Sequence, residues 1–125
     1  MSLLLDTHVL LWVLMDDARL PAAARTAIED GRTRVLVSAV SPWEITIKAG
    51  LGKVRAPTDL QRQIAALRFE ELDVTFAHAL AVAELPDHHA DPFDRLLIAQ
   101  ARTERLTLVT ADPAIRLYDV TVLAD

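Results

Sequence analysis

The chain contains no cysteine. Disulfides, thiolate metal sites and a thiol nucleophile are all excluded, and nothing calls for an oxidising compartment. Glycine is scarce, at 3 residues, so connections must be short or built on Pro, Asp and Ser. Positive charge is not in excess: 13 Lys and Arg stand against 18 Asp and Glu, a net charge of −5. The basic footprint of a typical nucleic-acid binder is therefore missing. No segment interleaves aromatic with basic residues. Long apolar runs are absent too. Leu3–Leu5 and Val9–Met15 are interrupted by Asp6 and His8, and no Lys or Arg precedes them. That pattern fits neither a signal peptide nor a membrane span of roughly 20 residues. The expectation is a cytoplasmic protein with no membrane partner.

What is present is apolar sequence in short pieces. Of the 125 residues, 52% are hydrophobic, enough for one domain over 1–125 with a sizeable core. No repeat, low-complexity segment or linker divides it. Strands are predicted at Ser2–Leu5, Arg34–Ser38, Glu71–Val74, Leu106–Val109 and Val120–Leu123. Helices are predicted at Thr7–Met15, Pro21–Asp30, Ser41–Gly50, Thr58–Leu67, Phe76–Glu84 and Pro92–Thr103. Near-continuous apolar strands alternating with helices predict an α/β fold, a parallel sheet covered by helices on both faces.

In such sheets the ligand sits beyond the carboxyl ends of the strands. Asp6 directly follows the first strand. Asp112 follows Val109 after Thr110 and Ala111, and Glu44 follows Arg34–Ser38 by a loop and a helix start. Topology alone brings these three acids to one edge. Asp94 comes from a helix start, so its side of the sheet is not forced.

Each acid also reads as an ordinary helix cap. Ser41-Pro42-Trp43-Glu44 has the form of a capping box, with Ser41 at N-cap and Glu44 at N3. Asp91-Pro92-Phe93-Asp94 repeats that form, Asp112-Pro113 is a cap before an N1 proline, and Asp6 is placed to cap Thr7 onward. Singly, each acid is more readily a cap than a ligand. Together they repel, and a cation is the natural relief. Oxygen donors without Cys or a spaced His pair favour Mg²⁺ or Mn²⁺ over Zn²⁺. Two divalent cations would cancel the −4 of Asp6, Glu44, Asp94 and Asp112, leaving about −1.

Other residues are candidates for contacts to a phosphate backbone. Lys48 lies four residues after Glu44, on the same helical face, and also fits a surface ion pair. Thr110 is placed to orient a water or phosphate, or simply to hold its turn. Lys53, Arg55 and Arg95 are candidate phosphate contacts, with solvated surface charge as the alternative. His88-His89 is read as loop, because adjacent residues rarely aim at one ion. His8 and His78 are read as structural or solvent-facing, and Trp12 and Trp43 as core or interface.

Four segments carry a family resemblance: LLLDTHVLLW (3–12), VSAVSPWEITIKAGLGKV (37–54), DPFDRLLIAQA (91–101) and LVTADPAI (108–115). In this order and spacing the chain resembles PIN-domain proteins, specifically the VapC-type toxins of toxin–antitoxin pairs. The resemblance implies a compact α/β domain that cleaves RNA with Mg²⁺ or Mn²⁺ and leaves 5′-phosphate and 3′-hydroxyl ends. It matches the family's acids to Asp6, Glu44, Asp94 and Asp112, and singles out Asp94 over Asp91. Relatives often carry a basic residue just before DPFD, where this chain has Ala90. The implied partners are RNA, most readily a structured loop with exposed bases, a VapB-like antitoxin and a second copy of the chain. The apolar helix with Val9, Leu10, Trp12 and Val13 is a candidate face for a partner.

Two other acidic-pocket folds fit less well. A phosphoacceptor receiver domain needs an Asp near mid-chain after its third strand, and Gly50–Pro57 has none. A haloacid-dehalogenase-type phosphatase needs D-x-D after the first strand, where this chain has Asp6-Thr7-His8.

Overall fold

The computed structural model describes residues 1–123. Among them, strands β1 (Ser2–Leu5), β2 (Arg34–Ser38), β3 (Glu70–Leu72), β4 (Thr107–Val109) and β5 (Val122–Leu123) form one sheet. Its order is β3-β2-β1-β4-β5, and every neighbouring pair is parallel. The helices are α1 (Thr7–Leu14), α2 (Ala22–Glu29), α3 (Val40–Gly50), α4 (Leu60–Ala66), α5 (Phe76–Ala81) and α6 (Pro92–Glu104). Short 3₁₀ turns follow at Val82–Glu84 and Pro113–Leu117.

Alternation along the strands builds two cores. Leu3, Leu5, Val35, Val37 and Val109 face α1, α2 and the buried Ile64 of α4. Leu4, Leu36 and Leu108 face Leu97, Ile98 and Ala101 of α6 and Ile115 of the last 3₁₀ turn. The three-layer α/β/α arrangement is thus the expected one. α3 straddles the layers, with Ile45 in the first core and Val40 in the second. Most predicted elements lie within a few residues of their observed places. The segment expected as one helix over Phe76–Glu84 is instead α5 followed by a 3₁₀ turn.

Strand order reverses direction at β1. Connections run outward from β1 through β2 to β3, then cross back to β4 on its other side. Such a switch point leaves a crevice at the carboxyl ends, between β1 and β4. The two strands stay joined there: the Asp6 N–H donates to the Val109 carbonyl at 3.0 Å.

The caps are largely as read. Asp6 accepts from the Val9 N–H at 2.8 Å, Asp91 from Phe93 at 2.8 Å and Asp112 from Ala114 at 2.9 Å. The α3 start differs. Its helix opens at Val40, whose N–H is held by the Ser38 hydroxyl at 3.0 Å, so Ser41 lies inside the first turn. Ser41 is buried, and its hydroxyl bonds the buried Thr7 hydroxyl of α1 at 3.0 Å. No Ser41–Glu44 capping box forms, because Ser41 pairs with Thr7 across the α1–α3 junction and Glu44 is buried and paired with Lys48.

Leu4 lies on the central strand between Leu36 and Leu108, with no exposed surface. Leu4→Ala should lower unfolding free energy by about 2–5 kcal/mol. Leu80→Ala, at a side chain 70% exposed, should change it by no more than about 0.5 kcal/mol. Urea titration of the two variants checks the ranking.

Candidate active site

The carboxyl edge of the sheet holds a depression of about 390 Å³, walled by Asp6, His8, Trp12, His89, Asp91, Asp94 and Asp112. Glu44 is buried beside it, 1% exposed, and Asp6 is 4% exposed. Burying carboxylates this far is unfavourable unless each has partners. Asp6 accepts from the Val9 N–H, and the Thr110 hydroxyl beside it favours its ionised form. Thr110 in turn accepts the Asp112 N–H at 3.0 Å, so one hydroxyl ties the acid after β1 to the turn after β4. Thr110 is buried and holds its turn, the second of its two readings from sequence.

Glu44 has one partnered and one unpartnered oxygen. Lys48 Nζ pairs with its Oε2, the i,i+4 pair expected on α3. Its Oε1 is buried without a hydrogen bond. Lys48 also reaches Asp91 Oδ2 at 4.0 Å and sits over the Phe93 ring at 5.9 Å. Its pKa is raised: burial pulls it down, but Glu44, Asp91 and Asp94 together outweigh that.

Asp94 is an acid crowded by its neighbours. At N3 of α6 its backbone N–H is capped by Asp91 at 3.3 Å, while its side chain faces the other acids. Burial, then the charges of Asp91, Asp6 and Glu44, push its carboxyl up to about 7, with His89 opposing. Asp6 is also raised, by burial first. Asp112 is lowered, because the Ala114 N–H and His89 outweigh its partial burial.

Two expectations meet a different arrangement. His89, read as loop, is inside the site. Its Nε2 lies 2.8 Å from Asp112 Oδ2 and 3.2 Å from Asp94 Oδ2. Nothing in the local sequence sets it apart from His88, because only the loop's path decides which ring turns inward. Arg95 is not held for a ligand. Its guanidinium donates to the carbonyls of Pro86, Val82 and Leu85 and to the Tyr118 hydroxyl, at 2.9 to 3.4 Å. The Leu85 and Pro86 carbonyls lie just past the 3₁₀ turn after α5, and the Val82 carbonyl at its start also accepts the Leu85 N–H at 3.1 Å. Lys53 and Arg55 are exposed in the turn and loop beyond α3, and His8 is exposed at the rim. His78 is buried and structural, bonded to Glu104 at 2.7 Å. In α1, Val9 and Leu10 belong to the core and Trp12 and Val13 pack against it, so that helix has little apolar surface left for a partner. Exposed apolar side chains lie instead on α3 and just past its end, at Trp43, Ile47 and Leu51, and on α5 at Phe76 and Leu80.

Among the described residues, one oxygen from each of Asp94 and Asp112 and a nitrogen of His89 lie within 4.8 Å of one another. Asp6 and Glu44 add buried charge to the same cluster. The carboxylate donors among them are hard, and one buried carboxylate oxygen, Glu44 Oε1, has no hydrogen-bond partner. These residues fit a divalent cation.

A parallel α/β/α domain with a buried acidic cluster at its switch point belongs to a class that handles cations or phosphates there. Within that class, the PIN domain family model matches residues 3–120, and the chain belongs to this family. It is 31% identical to Ribonuclease VapC22 of Mycobacterium tuberculosis over 120 residues, covering 94% of this chain and 92% of the relative. Its fold is shared with solved complexes. VapBC2 from Rickettsia felis, bound to a promoter DNA fragment, superposes with a TM-score of 0.73 at 17% identity over 99% of this chain and 98% of that one. VapBC-5 from Mycobacterium tuberculosis gives 0.63 at 22% identity over 99% and 98%. Among the described residues, no helix is long and apolar enough to cross a membrane.

The raised Asp94 pKa has a definite sign. Its neutral form favours the fold, so its stabilisation is complete below the ordinary value of 3.8 and is lost as pH rises through about 7. Without added metal, Asp94→Asn should therefore gain in Tm relative to wild type as pH goes from about 5 to about 8. A Tm difference that stays constant across that window contradicts the assigned environment of Asp94.

Proposed function

We propose that this chain is a metal-dependent endoribonuclease and the toxin of a type II toxin–antitoxin pair. The observation that carries the reading is Glu44 Oε1, a buried carboxylate oxygen with no partner, beside an Asp94 whose carboxyl is raised to about 7 by burial and by neighbouring acids. That is a site whose charge balance asks for a cation. Membership of the PIN domain family and the ribonuclease relative support RNA as substrate.

Glu44, Asp94 and Asp6 would hold Mg²⁺ or Mn²⁺, with Asp112 completing the set directly or through water. The bound ion would supply Lewis acidity, lowering the pKa of a water that attacks phosphorus and neutralising charge on the phosphate. Asp6 is held in place by Val9 and Thr110, and Asp112 by Ala114, so neither needs to reorganise. Lys48 contacts phosphate only after leaving Glu44. No side-chain nucleophile is required.

The partner readings rest on the family. An antitoxin of the VapB kind is proposed from the likeness to complexes named VapBC. Its docking face is best sought on the Trp43–Ile47–Leu51 stripe beside the acids. A homodimer and a structured RNA loop as target are proposed on the same resemblance.

Cleavage of a structured RNA with Mn²⁺ tests the enzyme reading. Asp94→Asn and Glu44→Gln should each lower the rate by at least about 100-fold, with circular dichroism unchanged, and chelation should abolish it. Millimolar Mg²⁺ or Mn²⁺ should raise the wild-type Tm. Equal cleavage by Asp94→Asn sinks the assignment.

A further inference from the structure

The reach of His89 into the acids follows from how its loop is held. Arg95 clamps the carbonyls of Leu85 and Pro86 at the loop's start. The His88 ring packs edge-on against buried Tyr118 at 5.2 Å, which turns the next side chain the other way. The loop ends at Asp91, the cap of α6. His89 is thus delivered to the crevice by three fixed points.

Its ring is fixed as well. The Asp91 N–H donates to His89 Nδ1 at 3.1 Å. Nδ1 is therefore an acceptor, and in the neutral ring the proton resides on Nε2. Nε2–H then donates to Asp112 Oδ2 at 2.8 Å, and Asp94 Oδ2 lies 3.2 Å from the same nitrogen. To ligate a metal through Nε2 the ring would have to move its proton to Nδ1. That would set two donors, Nδ1–H and the Asp91 N–H, against each other and free a backbone N–H beside the site.

We infer that His89 is a positioning residue for the proposed metal site: a hydrogen-bond donor that joins Asp94 to Asp112, and not a ligand. The two acids come from different elements, the α6 start and the turn after β4, and their charges repel. A shared donor holds one oxygen of each in a common place and leaves the rest of each carboxylate to the cation and its waters. Groups that orient carboxylate ligands in this way commonly contribute 10- to 100-fold in metal affinity. The inference rests on the metal-site reading above, but the ring tautomer does not.

The test uses the full chain and Mn²⁺ as the probe. In the metal-free protein at mildly alkaline pH, the ¹⁵N spectrum of the His89 ring should show Nδ1 bare and Nε2 protonated. Mn²⁺ titration followed by electron paramagnetic resonance should show binding weakened about 10- to 100-fold in His89→Ala. His89→Gln, whose amide N–H reaches the place of Nε2–H, should restore it to within about threefold. Circular dichroism should be the same for all three. A directly coordinated nitrogen on wild-type Mn²⁺, a proton on Nδ1, or equal binding by His89→Ala overturns the inference while leaving the metal site intact. If His89→Ala does not fold, failure of His89→Gln to bind like wild type overturns it equally. Wild type that binds no Mn²⁺ at millimolar concentration removes the metal reading and this one with it.

Discussion

Like charges buried together at the end of a sheet are the constraint around which the rest of this protein is arranged. Asp6 and Glu44 are almost without solvent exposure, and Asp94 faces both. Taking carboxylates out of water is costly, and crowding them adds repulsion that low dielectric magnifies. Each nearby feature offsets part of that. Asp6, Asp91 and Asp112 accept backbone N–H groups at the starts of α1, α6 and the last 3₁₀ turn. Those starts also offer the positive end of the peptide dipoles. Thr110 adds a hydroxyl, Lys48 an ammonium and His89 a shared donor.

The compensation is uneven. Asp112 has enough partners to sit below the usual carboxylate range. Asp94 does not, and Glu44 Oε1 has none. A fold selected only for stability would replace such groups with apolar side chains of the same size. The residual frustration is concentrated in the crevice between β1 and β4, while both cores beneath it are built mainly of buried aliphatic side chains. Strain gathered at one place over a rigid support is the pattern expected of a site.

The fold was largely legible because strand and helix periods differ so clearly here. The apolar runs of β1, β2 and β4 could only be buried strands, and α6 only an amphipathic helix. Asp6 and Asp112 were legible for the same reason, since each follows a strand end by at most two intervening residues. Glu44 was placed at the right edge because it follows β2 closely, and only its capping-box reading fails. Ser41 looks like an N-cap in sequence, but pairing with Thr7 is a contact between residues 34 apart, and no local pattern encodes it. His89 and Arg95 escaped for a related reason. A long side chain's partner depends on how a loop returns, so two adjacent histidines look alike until Tyr118 takes one of them. Asp94 over Asp91 came from the family resemblance. The structure gives a physical account of the difference: Asp91 is occupied in capping α6, and Asp94 is the acid turned toward the cluster.

The net charge of −5 seemed to oppose binding of a polyanion, and the positions of the cations sharpen the point. Lys48 is paired with Glu44, and Arg95 is bonded to carbonyls beside the crevice. On the proposed reading, a phosphate approaching the metal-free cluster meets acids whose nearest bases are already engaged. A divalent cation changes both terms at once. Held by Asp6, Glu44 and Asp94, it would offset carboxylate charge there and would compete with Lys48 for Glu44. Metal occupancy and substrate affinity are then coupled through the same carboxylates. A chain poor in surface base can bind RNA at this one point without carrying a general affinity for nucleic acid along its surface.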